Sequence, residues 1–300
     1  MSADAAIAYL ARIRTYYQAL GYGAPYEWAH FNDVPFHSFS KPLAQARIAL
    51  VTTAAPYQPD KGDQGPGAPY NAAAKFYQVY SGETSTDPDL RISHVTIDRA
   101  HTTAEDINSY FPLAALRRSA GRGRIGGLTQ HFHGLPTNRS QRTTSDIDCA
   151  ELVARCKAEN ADAAILVPNC PVCHQSVSLA ARALEENGIA SVIMGCAKDI
   201  VEHVGVPRFL FSDFPLGNGA GRPKDVDSQD LTVELALMLL KTARAPRTTV
   251  QSALKWSADA TWKRDYCNVD LLSAQEIAAR RAQFEAAKDA AKSARGGAGH

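Results

Sequence analysis

Ala163-Ala-Ile-Leu-Val-Pro-Asn-Cys-Pro-Val-Cys-His174 is the stretch on which the fold turns. Its apolar run is too short for a helix, is stopped by Pro168 and Asn169, and predicts a strand buried on both faces. A helical pattern follows from about His174 to Asn187, closed by Gly188. The unit of buried strand, loop and helix recurs along the chain. Ala46 to Thr53 is an apolar run ending in two hydroxyls. Ala190 to Met194 leads to Gly195-Cys196, and Arg208 to Ser212 leads to Asp213-Phe-Pro-Leu-Gly217, with a helix over 229–244 next. Leu90 to Asp98 alternates like a strand, and Thr103-Ala-Glu-Asp106 predicts a capped helix near 104–118. Ile125 to Gln130 predicts a short strand running into His131-Phe-His133. Ser145 is expected to cap a helix through Glu159, with Ala150, Leu152, Val153 and Cys156 facing inward.

This order predicts an α/β fold: a mainly parallel sheet with helices on both faces, in Rossmann-like layers. An N-terminal helix over 4–20 with an irregular arm (1–45) precedes a catalytic core (46–245). A C-terminal extension (246–300) carries an Ala-rich charged helix over about 273–295 and ends in Gly296-Gly-Ala-Gly299. Residues 54–89, rich in Pro, Gly, Tyr and Asp, read as a long loop over the surface or the active site.

Lys plus Arg number 32 against 31 Asp plus Glu, a net charge of +1, so neither nucleic acid nor an anionic membrane surface is an expected partner. A hydrophobic share of 45% is that of a globular protein that folds without staples. The first residues lack a basic start followed by an apolar stretch, and no run approaches the roughly 18 apolar residues of a membrane span, so the cytoplasm is the expected compartment. Six cysteines in a reducing compartment are then free thiols, ligands or catalytic groups.

Loops leaving the C-terminal ends of parallel strands share one edge, where ligands bind. In order those ends carry Thr52 and Thr53, Asp98, His131 and His133, Asn169 with Cys170 and Cys173, Cys196, and Asp213 with Gly217. Cys170 lies where a helix begins, so the partial positive charge there favours its thiolate. Cys173, one turn on, can resolve an adduct on Cys170. Half of a zinc site is the other reading of Cys-x-x-Cys, and His131 with His133, on one side of a strand, are the expected proton donors or additional ligands. Thr52, Thr53, Asn169, Cys196, Asp213 and Gly217 are the expected substrate-binding positions. Asp98 and Asp106 read as loop-fixing or helix-capping carboxylates, and Cys149, Cys156 and Cys267 as inert thiols.

Ala24-Pro-Tyr-Glu-Trp28, Asn32-Asp-Val-Pro35, Arg47-Ile-Ala-Leu-Val-Thr-Thr53, Asp106-Ile-Asn-Ser-Tyr-Phe-Pro112, Ile125-Gly-Gly-Leu128, the thiol loop and Phe214-Pro-Leu-Gly217 together resemble the selenoprotein B family of glycine, sarcosine and betaine reductases, with the selenocysteine subunit of D-proline reductase. The resemblance covers about residues 9–245. It implies that Cys170 stands where the family has selenocysteine, and Cys173 where the thiol closes the selenenyl-sulfide. It also implies a substrate carbon activated elsewhere by a pyruvoyl group. No site for making a pyruvoyl group is evident in this chain, and a thiolate is a weaker nucleophile than a selenolate.

Three functions are therefore carried forward. The favoured one is a self-contained desulfhydrase, in which thiolate or metal-bound water attacks an electrophilic thioamide or thiohydantoin carbon and sulfide leaves. The second is reductive C–N cleavage of an amino acid or betaine, with a thioredoxin-like partner restoring the thiols. The third is a non-catalytic redox or metal-binding subunit. Zinc is the candidate metal and a homodimer the expected assembly.

Overall fold

The computed structural model describes residues 5–92, 94 and 96–297, apart from the side chains of 287 and 290–297. The buried apolar runs form the strands β1 (Arg47–Thr52), β5 (Ala163–Val167), β6 (Ala190–Gly195) and β7 (Arg208–Phe211). Between β1 and β5 the chain adds β2 (Tyr80–Glu83), the two-residue β3 (Gly127–Leu128) and β4 (His131–Gly134). β8 (Thr248–Gln251) comes last. They make one eight-stranded sheet of order β8-β7-β6-β5-β1-β4-β2, with β3 beside β1. Every pairing is parallel except that of the edge strand β2 with β4.

Alternate residues of the central strands feed two cores, as strands covered on both faces require. Ile48, Leu50, Ile165, Val167, Val192 and Met194 face α2 (Leu113–Gly121) and α6 (Val226–Thr242). Ala49, Val51, Ala164, Leu166 and Phe209 face α3 (141–158), α4 (Pro171–Glu186) and α5 (Lys198–Val204). A third cluster packs Ile7, Tyr9 and Ile13 of α1 (Tyr9–Ala19) and its approach against Cys196, Phe214, Trp262 and Tyr266. The tail helix α7 (Ala274–Gly297) docks on α1: Phe284 meets Tyr17 and Tyr22 edge to face, and Arg281 donates to the Leu20 carbonyl at 2.6 Å. Among the described residues no helix is long and apolar enough to cross a membrane.

Several local expectations change. The strand foreseen over Leu90–Asp98 is paired only at Leu90–Arg91, to Ala55–Pro56, and Ser93 and Val95 of that segment lie outside the described residues. Asp98 sits in a turn, accepting from His101 Nδ1 at 3.0 Å rather than ending a sheet strand. Pro112 removes a backbone donor and interrupts the helix foreseen over 104–118. Asp106 caps a single turn at Ile107–Ser109, and α2 begins only at Leu113. The helix assigned to Ser145 starts at Gln141, capped by the Ser140 hydroxyl, and runs through a π-helical turn over Thr144–Cys149. That turn shifts the phase, so Cys149 is buried and Ala150 exposed. β2 and β8 went unforeseen, being short and rich in small or polar residues.

Candidate active site

Chain direction across the sheet reverses between β1 and β5. β1 hands on toward β4 and β2, while β5 hands on toward β6 to β8. A crevice opens outside the strand ends at such a switch point. The thiol loop sits there. Thr53, just past β1, donates its N–H to Val167 O and accepts the Asn169 N–H on its hydroxyl at 3.1 Å, tying the two strand exits together.

Cys170 is the N-cap of α4: its sulfur accepts the Cys173 N–H at 3.2 Å, and Pro171 occupies the first helical position. The two sulfurs lie 2.7 Å apart as free thiols. Cys170 keeps 4% of its surface and Cys173 none. Behind them the Thr137 hydroxyl is 3.1 Å from Cys173 Sγ, and His94 Nε2 is 3.4 Å from that hydroxyl. Arg99 donates to the His94 carbonyl at 2.7 Å and Tyr266 to the Thr96 carbonyl at 3.0 Å, which fixes the segment carrying His94.

Burial opposes charge on both sulfurs, yet they titrate in opposite directions. The Cys170 S–H, His94 and Thr137 act on Cys173 and hold its thiol well below the usual range. Burial, donation to Cys173 and the negative charge there push Cys170 well up. The pair therefore holds its negative charge on the inner sulfur. That reverses the expectation that the helix start makes Cys170 the more acidic thiol. A proton crossing the short gap between the sulfurs places the charge on Cys170.

Cys170 faces a cleft of about 870 Å³, part of it open to solvent. Tyr17, Tyr26, Trp28, Tyr70, Phe76 and Phe284 form aromatic walls, and Lys75 and Arg139 supply cationic groups. The Lys75 ammonium also donates to the Thr137 carbonyl at 2.9 Å, and the Arg139 guanidinium lies 5.4 Å from the centre of the Tyr26 ring. The long loop over 54–89 and the tail helix both reach this cleft, through Tyr70, Lys75, Phe76 and Phe284.

The structure brings Cys170 and Cys173 together with His94, which the sequence reading did not single out. It does not bring His131 or His133 to them. In β4, His133 pairs with Val51 and Ser81, and His131 with Glu83, so both rings lie alongside the sheet rather than beyond its edge. His131 Nδ1 meets Glu159 at 2.7 Å and His133 Nδ1 meets Ser81 Oγ at 2.9 Å. Thr52, Thr53, Asn169, Cys196, Asp213 and Gly217 do not line the cleft. Thr52 accepts the Ala54 N–H and Asp213 pairs with Lys263. Gly217, at φ +106, packs near Ile92 and Ile97. Burial pushes the Cys196 thiol up to about 12. Asn169 is fully buried and, among the described residues, its amide has no hydrogen-bond partner.

His174 faces away from the thiols. Its Nδ1–H donates to the Cys170 carbonyl at 2.8 Å, while Nε2 accepts the N–H groups of Cys196 and Ala197 at 3.0 and 3.1 Å. A Cβ on Gly195 would lie 2.7 Å from His174 Nε2, so glycine is what lets the ring dock there. The imidazole thus clamps the start of α4 to the exit of β6.

His133 supplies a stability prediction. Burial lowers its pKa to about 4; Arg155 and His131 add to that and Glu159 opposes it. Above pH 6.5 the ring is neutral whether the chain is folded or not. As pH falls below 6.5 only the unfolded chain takes the proton, until the folded pKa is passed. Stability is therefore lost between about pH 6.5 and 4, by about 3 kcal/mol for this group. Urea unfolding at pH 7.5 and 4.5 should show a smaller drop for His133→Asn than for the wild type.

A mostly parallel α/β sheet, with two free cysteines at its switch point, places the chain in the doubly wound class. The chain is similar to the D-proline reductase subunit gamma of Acetoanaerobium sticklandii, 30% identical over 192 residues, covering 63% of this chain and 76% of that protein. It is also similar to the glycine reductase complex component B subunit gamma of Symbiobacterium thermophilum, 24% identical over 209 residues, covering 68% of this chain and 48% of that protein. The chain belongs to this selenoprotein B-like family of glycine and proline reductase subunits. No protein-family model and no solved structure matches it.

Proposed function

We propose that this chain cleaves a carbon–heteroatom bond of a small carboxylate-bearing substrate held in the cleft, with Cys170 as the attacking sulfur and Cys173 as the resolving one. The sulfur pair 2.7 Å apart, with Cys170 at the cleft and Cys173 behind it, carries this reading. Lys75 and Arg139 suit a carboxylate, and the aromatic walls suit an apolar or ammonium-bearing body.

The relatives favour the reductive form, C–N cleavage, over the sulfide-releasing form that the sequence alone favours. In the reductive form Cys170 thiolate displaces the amine and forms a C–S bond. Cys173 then attacks the Cys170 sulfur, the carbon leaves with the electron pair and takes a proton, and a Cys170–Cys173 disulfide remains for a thioredoxin-like dithiol to reduce. The amine is a poor leaving group in the displacement step, and a partner subunit bearing a pyruvoyl group would activate it by drawing electrons from the C–N bond.

His94 favours a second reading. An imidazole beside a thiol and a thiolate suits hydrolytic desulfuration, in which a thiocarbonyl compound and water give the oxo compound and hydrogen sulfide.

The test is an assay of the full chain with dithiothreitol on D-proline, glycine, betaine and thiohydantoin carboxylates, following both amine loss and sulfide release. Amine loss that needs an added pyruvoyl subunit supports the first reading, and sulfide release by the chain alone supports the second. No turnover together with disulfide exchange with thioredoxin would overturn both in favour of a non-catalytic redox subunit. A homodimer is the proposed assembly, for which light scattering should give twice the chain mass.

A further inference from the structure

We propose that His94, Cys170 and Cys173 form a three-ligand site for a zinc-class divalent ion, with its fourth position open to the cleft. One ring nitrogen of His94 and the two sulfurs all lie within 4.8 Å of one another, and all three residues are buried. Among the described residues no further His, Cys, Asp or Glu joins them. Three protein ligands and one open position is the arrangement of a catalytic site rather than a structural one.

The choice of ion follows from the donors. Two thiolates and an imidazole select zinc over magnesium or calcium, which take oxygen ligands. Cys-x-x-Cys on the first turn of a helix is a spacing that brings two sulfurs to one ion. A tetrahedral ion with bonds of about 2.3 Å holds two sulfurs ~3.8 Å apart. The pair, now at 2.7 Å, would therefore open by roughly 1 Å, within reach of side-chain rotation.

An independent observation comes from the histidine. His94 is 8% exposed and, among the described residues, its Nδ1 has no hydrogen-bond partner. A buried imidazole nitrogen is ordinarily satisfied, so this ring, whose other nitrogen lies toward Thr137 and Cys173, keeps polar capacity that no described group fills. Thr137, within 3.4 Å of His94 Nε2 and 3.1 Å of Cys173 Sγ, is placed to steady the ligands from behind. Since Cys170 and His94 both line the cleft, the open position takes water or a soft sulfur atom of a bound molecule. The site is inferred from the ligand geometry and does not rest on the reductive reading; an occupied site favours the hydrolytic one.

The experiment is elemental analysis and Co²⁺ titration of the full chain, purified under reducing conditions without chelator. One equivalent of zinc is expected as isolated, and after exchange the visible bands of tetrahedral thiolate-bound Co²⁺. Cys170→Ser and Cys173→Ser should each bring zinc near zero, and His94→Gln should weaken Co²⁺ binding at least ~100-fold. Cys156→Ala, a buried thiol elsewhere, should keep the full equivalent. Circular dichroism confirms that each variant is folded before it is scored. Wild-type protein that takes up no zinc, or His94→Gln that binds Co²⁺ as tightly as wild type, would overturn the proposal. Neither readout requires turnover, so the metal site and the proposed reaction stand or fall separately.

Discussion

Cys170→Ser is expected to lower turnover by on the order of a thousandfold or more, in a protein that remains folded. The structural reason for expecting a clean result is the cap. Cys170 Sγ accepts the Cys173 N–H at the start of α4, and a serine hydroxyl fills an N-cap at least as well. A serine hydroxyl, however, is a far poorer nucleophile and a poor ligand for a soft metal. Cys173→Ser then separates the two chemistries. In the reductive form the first displacement survives and the resolving step does not, so a substrate adduct accumulates on Cys170 and activity stops after one turnover. In the hydrolytic form turnover falls and no adduct forms. Intact-protein mass spectrometry after incubation with substrate reads the difference. Undiminished activity in Cys170→Ser would remove that sulfur from the chemistry altogether.

The framework was legible because the central strands are buried on both faces. Ala163–Val167, Ala190–Gly195 and Arg208–Phe211 must be nearly all apolar, and runs this short are too brief for a buried helix. The thiol loop was legible as well, since Pro168 and Pro171 bracket Cys170 between strand and helix. His94 was not. It lies 76 residues from Cys170 in no motif, and reaches the sulfurs only because the chain after Leu90–Arg91 folds over the switch point. Its one signal was a histidine in the buried phase of an alternating stretch, with Leu90 and Ile92. For His131 and His133 the alternation correctly put both rings on one side. What it could not supply was register: Gly134 is level with Thr52, so the histidines stop short of the sheet edge. The aromatic walls were illegible for the same reason, since Tyr17, Trp28, Tyr70 and Phe284 meet only through tertiary packing.

That packing depends on a charged pair inside the protein, and breaking it is the second large effect. Glu185→Ala is expected to destabilise the fold by about 3–5 kcal/mol. Glu185 and Arg208 have fully buried side chains joined at 2.7 Å. The carboxylate also accepts the N–H groups of His37 and Ser191, and the guanidinium donates to the His37 carbonyl and stacks 4.3 Å from the centre of the Phe36 ring. Burial pushes the Glu185 pKa up and the Arg208 pKa down, so desolvation outweighs the attraction within the pair. Removing one partner leaves the other charged and dry. The double change Glu185→Leu with Arg208→Met should therefore cost less than Glu185→Ala alone, a non-additivity that urea titration of the single and double variants would measure. The effect should reach the cleft. Glu185 belongs to a row on α4 with Gln175 and Arg182, which bind Ala29 N–H, the Tyr26 hydroxyl and the Asp33 carbonyl and so lay the N-terminal arm along the helix. Tyr26 and Trp28 on that arm wall the cleft above Cys170. Loosening the arm at Glu185 should therefore speed alkylation of Cys170 in the folded protein. If Cys170 reacted with iodoacetamide at the wild-type rate in folded Glu185→Ala, the arm would not depend on this pair for its hold on the site.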